Sequence, residues 1–357
     1  MPRGTIPRHE FCFWLHDEVT RLLLEATQSG YLELWHTSLQ EAIKNGGRDP
    51  ADEAVWEKLA EAGGIVATPI KLDVLTAILS DTLHFIYESL IAFEKRKFNV
   101  AYSLLRKPLT ENLIILCKLA KNDDDFIKSF ADGTLQLKQV TNLNNKDRVS
   151  LFDDVIDKLH YKDFISGDLL NDIIFSRDTP NGLQRPMQQA THLITTRHES
   201  LCTPKFGLNK VFHFDQGDEN YNVYDSLPVV MFFILQISIA LFWKYFPLSP
   251  VSLNEILVRS IGLYGNIYEG RLDALSRALN KSLSSMIKCE WCEAGKPKIK
   301  KRYAASFYLN DQIHCGNCGR FSHTPLTYLL RSGALNIAFD GKESNYPDAA
   351  TMFAAFK

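Results

Sequence analysis

The chain has 357 residues, 45% of them hydrophobic and 11% aromatic, with a formal net charge of −2. That composition buries a substantial core and excludes a disordered chain, and a pI near 6.6 supplies no global pull toward nucleic acid or anionic lipid, so a polyanion must be held by a local patch. Phosphate-cradling glycine loops, His-Glu-x-x-His helices and nucleophile-elbow serines do not occur, which removes three common enzyme chemistries.

Met1 to Arg8 lacks the apolar core and cleavage pattern of a secretory leader, and the expected compartment is the cytoplasm. Residues 10–45 carry helical stripes, Leu15, Val19, Leu22 and Leu23 and then Leu32, Leu34, Trp35 and Leu39, broken at Gly46-Gly47-Arg48-Asp49-Pro50. A short helix over Glu53 to Ala62 ends at Gly63-Gly64, and Pro69 precedes a long run from Leu72 to about Phe98. Val100 to Ala120 is helical by period, pairs with that run as a hairpin, and must kink or restart at Pro108. Asp123 to Asp125 is placed to cap a helix through Phe130 that Gly133 ends.

Beyond Ser150 the pattern predicts a helix to about His160, a polar loop to Pro186, and a helix from Met187 to about Thr196. Val229 to Trp243 is apolar but shorter than the ~20 residues a membrane span needs, and Gln236 and Ser238 interrupt it. It reads as a helix buried on every side, with Pro228 in its first turn and Pro247 past its end, so no membrane partner is expected. Residues 252–288 predict two helices split near Gly262 to Gly265, and Arg302 to Ile313 predicts a short hairpin around an Asn-Asp turn. The expected fold is mainly α, a multi-helix bundle with a small C-terminal β zinc-ribbon module. Its expected divisions are an N-terminal helical region (1–64), a bundle core (65–270), and a helix, ribbon and tail (271–357).

Cys289-x-x-Cys292 and Cys315-x-x-Cys318 are the spacing of a four-thiolate zinc site, and four cysteines fill the shell, so the zinc is structural. A disulfide pair or unpaired core thiols are the competing readings. Gly319 permits the tight turn in which amides face the last sulfur, while His314 and His323 are read as surface or supporting residues, with replacement of a cysteine as ligand the alternative for either. Cys12, Cys117 and Cys202 read as buried, inert thiols. Between the cysteine pairs, Lys296, Lys298, Lys300, Lys301 and Arg302 precede Tyr303, Phe307 and Tyr308, which combines cations with stacking rings and points to nucleic-acid contact; a solvated loop is the alternative.

Arg185 and His192 stand seven residues apart near the start of a predicted helix. If Pro186 is the first helical residue, both share a face and reach one phosphodiester. The histidine would act as general base or acid, and the arginine would stabilise the phosphoryl oxygens, with no catalytic metal. A helix-capping arginine and a hydrogen-bonded histidine form the plainer reading. His198, after Arg197, and His213, before Asp215, could join a polar cluster there. His84 with Glu88, and Arg106 with Glu111, read as buried ion pairs between helices.

The Arg185 and His192 spacing resembles the Arg-x(4 to 6)-His motif of the HEPN superfamily, helical-bundle proteins that include ribonucleases of toxin-antitoxin, abortive-infection and other bacterial defence systems. The resemblance spans roughly residues 65–250 and leaves the ribbon outside; Pro186 departs from the polar residue that usually follows the arginine. It implies a stress or antiviral-defence effector, an endoribonuclease acting on RNA through Arg185 and His192, a homodimer, and a partner protein of a defence system. The second expectation is a non-catalytic zinc-containing scaffold or sensor that binds nucleic acid or protein.

Overall fold

Gly30, whose φ of +69° lies in the left-handed region that a side chain disfavours, separates α1 (Ile6–Gln28) from α2 (Tyr31–Asn45). The structure, a computed structural model, describes residues 1–335 except 46, 48, 50, 65–66, 133, 135–142, 163, 195–201, 204, 209–220 and 247–248. Both bounds of α3 (Glu53–Ala62) match the sequence reading: the Asp52 carboxylate accepts from the Ala54 amide at 3.0 Å, and Gly63 ends the helix at φ +64°. Next, α4 (Thr68–Glu94) buries Leu72, Leu75, Leu79, Leu83, Ile86 and Leu90, then turns through Arg96 into α5 (Phe98–Lys107), the expected hairpin.

At Pro108 the helical path neither stops nor restarts. It widens into one π-helical turn, Pro108–Asn112, in which the Leu113 amide donates to the Pro108 carbonyl, and α6 (Leu113–Lys121) follows. Asn122, not the acidic run, caps α7 (Asp123–Ala131) by accepting from the Asp125 amide at 3.3 Å. Two of the carboxylates are tied elsewhere. Asp123 lies 2.9 Å from Lys71 Nζ and 2.8 Å from Lys244 Nζ and accepts from Tyr245 Oη at 2.6 Å, while Asp124 meets Lys71 at 2.5 Å. Gly133 is outside the described residues.

Asn144 caps α8 (Asn145–Ile156), which starts earlier than expected. The polar stretch read as loop contains another helix, α9 (Gly167–Phe175), capped by Ser166 and burying Leu170, Ile173 and Ile174. Short apolar spacing inside a polar stretch hid it. Past α10 (Gln184–Thr191), the core helix α11 (Val223–Tyr245) begins upstream of Pro228, so that proline lies inside the helix and not in its first turn; Pro247 is outside the described residues. Both α4 and α11 are long and apolar enough to cross a membrane, but most of α11's apolar window is covered by protein, with α1 and α6 packed on it. Ser238 satisfies its hydroxyl on the Ile234 carbonyl at 2.8 Å. Burial raises the Cys12 and Cys117 thiols, as inert core cysteines require, whereas Cys202 is exposed.

The chain divides into two compact units, Met1–Pro247 and Leu248–Gly341. In the second unit, α12 (Pro250–Tyr268) runs unbroken through Gly262 and Gly265, where the sequence suggested a split. Tertiary packing explains those glycines. A Cβ on Gly262 would lie 2.0 Å from Cζ of buried Tyr308, and one on Gly265 would lie 2.6 Å from Cβ of Asp273, the cap of α13 (Ala274–Met286).

After α13 come β1 (Pro297–Lys298), the helix α14 (Ala304–Asn310) in place of the expected hairpin, β2 (Gln312–Cys315), β3 (Phe321–His323) and α15 (Leu326–Arg331). The strands form one antiparallel sheet in the order β1-β2-β3, with Lys298 opposite His314 and His314 opposite Phe321. Arg259 of α12 holds this module by donating to Asp311 Oδ1 at 2.8 Å and to the Tyr308 carbonyl.

Candidate metal centre and nucleic-acid interface

The two cysteine pairs sit in matching turns. Glu293 N–H donates to the Cys289 carbonyl at 2.9 Å, and Gly319 N–H to the Cys315 carbonyl at 3.0 Å. Each turn ends in left-handed backbone, at φ +51° for Glu293 and φ +74° for Gly319, so the role read for Gly319 is repeated by a side-chain-bearing residue in the first turn. The four Sγ atoms lie within 4.8 Å of one another, with Cys289 to Cys318 at 3.6 Å and Cys292 to Cys315 at 3.9 Å. These separations are far beyond a disulfide bond and place four sulfurs to hold one metal ion.

Gly295 shapes the cage. A Cβ there would be 2.3 Å from Cys315 Sγ and 3.1 Å from Cys292 Sγ, while its carbonyl accepts from the Cys289 amide at 3.0 Å. Burial raises Cys289, but the Trp291 and Cys292 amides and the Cys318 thiol outweigh it and bring the group down to about 6. The Asn317 amide, donating to Cys292 Sγ at 3.4 Å, lowers Cys292. The Arg320 amide acts to lower Cys318, yet burial and the three neighbouring sulfurs prevail and raise it to about 11. Four thiolates so close repel one another, and a central cation is the charge that lets all four ionise.

The predicted nucleic-acid residues divide by direction. Lys296, Lys298, Lys300 and Arg302 are exposed, whereas Lys301 turns inward and donates to the Asn266 and Glu269 carbonyls at the end of α12. Strand alternation puts Ile313, Cys315 and Ser322 on the buried face and Lys298, His314, Phe321 and His323 on the other. On that outer face Tyr303 stacks on His314 with centroids 4.7 Å apart, and Phe321 meets both rings edge-on at 5.2 and 5.3 Å. Burial and then Lys300 lower His314, which keeps the ring neutral and apt for stacking. Arg302 lies over Tyr303, Arg320 lies 5.0 Å over the exposed Trp291, and the Trp291 indole donates to the Phe321 carbonyl at 3.0 Å. Of the aromatic residues named from sequence, Phe307 and Tyr308 are buried core. His314, Phe321, Trp291 and Arg320 were missed, though the alternation Gln312-Ile313-His314-Cys315 carried the signal.

Arg185 is exposed in the first turn of α10. His192 is not on that helix: Thr191 ends it, His192 is extended (φ −126°, ψ 128°), and the shared face assumed for the pair is not formed. The Thr191 hydroxyl takes the Gln188 carbonyl at 3.0 Å, which the His192 amide would use in a longer helix. Arg185 lines a cleft of about 710 Å³ together with Arg177 and Asp178; His192 is not among the lining residues. Arg197, His198, His213 and Asp215 lie outside the described residues. The expected buried ion pairs are replaced by surface groups: His84, Glu88 and Arg106 are exposed, Arg106 donates to Thr191 Oγ1 at 3.4 Å, and Glu111 lines an open cleft.

Fold and site together define a mainly helical protein with a small antiparallel sheet and a four-cysteine cluster suited to a metal ion. No family model matches the chain, and no curated protein and no solved structure matches it.

Proposed function

We propose that the second unit is a zinc ribbon that binds nucleic acid through the outer face of its sheet. The supporting observation is the row Lys298, His314 and Phe321 across three strands, with Tyr303 stacked on its centre and Lys300, Arg302 and Arg320 exposed around it. Rings on a rigid sheet offer stacking surface to bases, and flexible cations beside them follow a phosphate backbone. Zinc is the metal chosen by this ligand set: four sulfurs about 2.3 Å from a tetrahedral centre lie about 3.8 Å apart, close to the separations between the paired sulfurs here. With its shell filled, the ion holds the sheet and takes no part in chemistry.

The test is fluorescence anisotropy of the zinc-loaded protein with a labelled single-stranded RNA over a salt series. Phe321→Ala should weaken binding by about 10- to 100-fold, the worth of one stacked base. Replacing Lys298 and Lys300 together by alanine should also flatten the salt dependence by about 0.7 per lost phosphate contact. Wild-type affinity in all these variants would refute the reading. RNA cleavage that persists in EDTA with the fold intact and disappears in His192→Ala would instead favour the defence endoribonuclease implied by the HEPN resemblance.

A further inference from the structure

The most telling feature outside the ribbon is a pair of arginines without partners. Several guanidinium groups of the described residues are matched: Arg21 to Glu18 and Glu25, Arg148 to Asn145 and Asn171, Arg259 to Glu255 and Asp311. Arg177 and Arg185 instead face the same 710 Å³ cleft of the first unit with no hydrogen bond or ion pair to any described residue. Three side-chain amides on that cleft, Asn99, Gln189 and Asn222, are also uncommitted, and so is the Asp178 carboxylate. By contrast, Asn181 on the same rim is spent on Asp225 at 3.0 Å.

Phe98 and Tyr102 form part of the wall and are buried, so the cleft has a fixed floor beneath its polar groups. Its volume falls within the ~300–1,000 Å³ of small-molecule sites. Unmatched guanidiniums in a concavity select a dianionic group that each can grip with paired N–H donors. Among the described lining residues Asp178 is the one carboxylate that accompanies them, and a carboxylate beside a phosphate site suits a ribose diol, whose hydroxyls donate to it. The amides present both donors and acceptors, as the edge of a base requires.

We propose that this cleft binds a nucleoside phosphate, with Arg177 and Arg185 on the phosphate, Asp178 on the ribose hydroxyls and the three amides on the base. The assignment is independent of the ribbon's proposed role. Free nucleotide and the 5′ end of a nucleic acid share this chemistry, and the cleft is assigned to the free nucleotide.

Calorimetric titration of the full chain with AMP, GMP, adenosine, inorganic phosphate and a 5′-phosphorylated tetranucleotide tests it. Saturable binding of AMP or GMP is expected, tighter than either adenosine or phosphate. It should weaken by about 10-fold or more in Arg177→Ala and in Arg185→Ala, as loss of a charged hydrogen-bonding group predicts. Neither change removes a hydrogen bond or ion pair among the described residues, and circular dichroism checks the fold. Asp178→Asn should weaken AMP without changing phosphate binding, and Lys298→Ala should leave AMP binding as in the wild type. Absence of AMP and GMP binding, indifference to both arginines, or binding of the tetranucleotide alone would each overturn the proposal.

Discussion

Adding one methyl group at Gly295 should dismantle the metal site. The Cβ of Gly295→Ala would stand 2.3 Å from Cys315 Sγ and 3.1 Å from Cys292 Sγ, whereas unbonded heavy atoms settle about 3.5–4 Å apart. Cys315 Sγ must therefore retreat by more than about 1 Å, while metal–ligand distances tolerate only about 0.2 Å. Altering a group that merely supports a ligand costs about 10- to 100-fold in metal affinity, and displacing a ligand costs more. Gly270→Ala, whose Cβ meets nothing within 4 Å, is the control. Zinc per chain and the rate of zinc loss to a chromogenic chelator are the readouts. One zinc per chain with wild-type resistance to chelator in Gly295→Ala would refute the steric argument and the cage geometry behind it.

The two cysteine turns offer a matched pair of changes. Glu293→Gly should stabilise the metal-loaded unit by up to about 1 kcal/mol and Gly319→Ala destabilise it by a similar amount, because both positions have left-handed backbone; urea denaturation measures each. Gly262→Ala should cost about 1–3 kcal/mol by overpacking against Tyr308, and Tyr308→Phe about 1 kcal/mol by removing the 2.7 Å bond to Ser276, both read from denaturation midpoints. Asp123→Asn should cost about 3 kcal/mol near neutral pH, since it removes the buried partner of Lys71 and Lys244. Burial raises Asp123, but Lys244, Tyr245 and Lys71 outweigh it and hold its carboxyl well below the usual range. Its contribution is thus present above the unfolded pKa of about 4 and lost as pH falls toward the folded value. The stability difference between wild type and Asp123→Asn should shrink below about pH 4, and a constant difference down to pH 2 would contradict the network.

Elements whose signals are local were legible. The Asp52 cap and the Gly63 stop fix α3 within a few residues of chain, and the apolar stripe of α4 needs nothing beyond its own period. Misreadings arose where a residue answers to a distant partner. Gly262 and Gly265 look like breaks because glycine disfavours helix, but the space they leave is filled by Tyr308 and Asp273 from later in the chain. Likewise Asn310-Asp311 looks like a hairpin turn, whereas left-handed Asp311 ends α14 and takes Arg259 of α12. Asp123 and Asp124 look like caps, but the ion pairs of buried Asp123 with Lys71 and Lys244 and of Asp124 with Lys71 set their place.

The candidate site shows the same divide between spacing and adjacency. Ligand spacing is a property of a few consecutive residues, so the four cysteines could be read directly, and their sulfurs do converge. A binding face is a property of register, which sequence leaves open until strands pair. The lysine run reads as a unit in the sequence, yet the backbone turns Lys301 onto the end of α12 and presents its neighbours to solvent. Phe321, more than twenty residues beyond Lys298, joins it only through His314 on the strand between them. The cage stands at one end of that row, since Cys315 continues the strand that carries His314. Metal binding and the aromatic row are therefore coupled by a single peptide link, and removing the ion should loosen the row before it disturbs the helices α12 and α13.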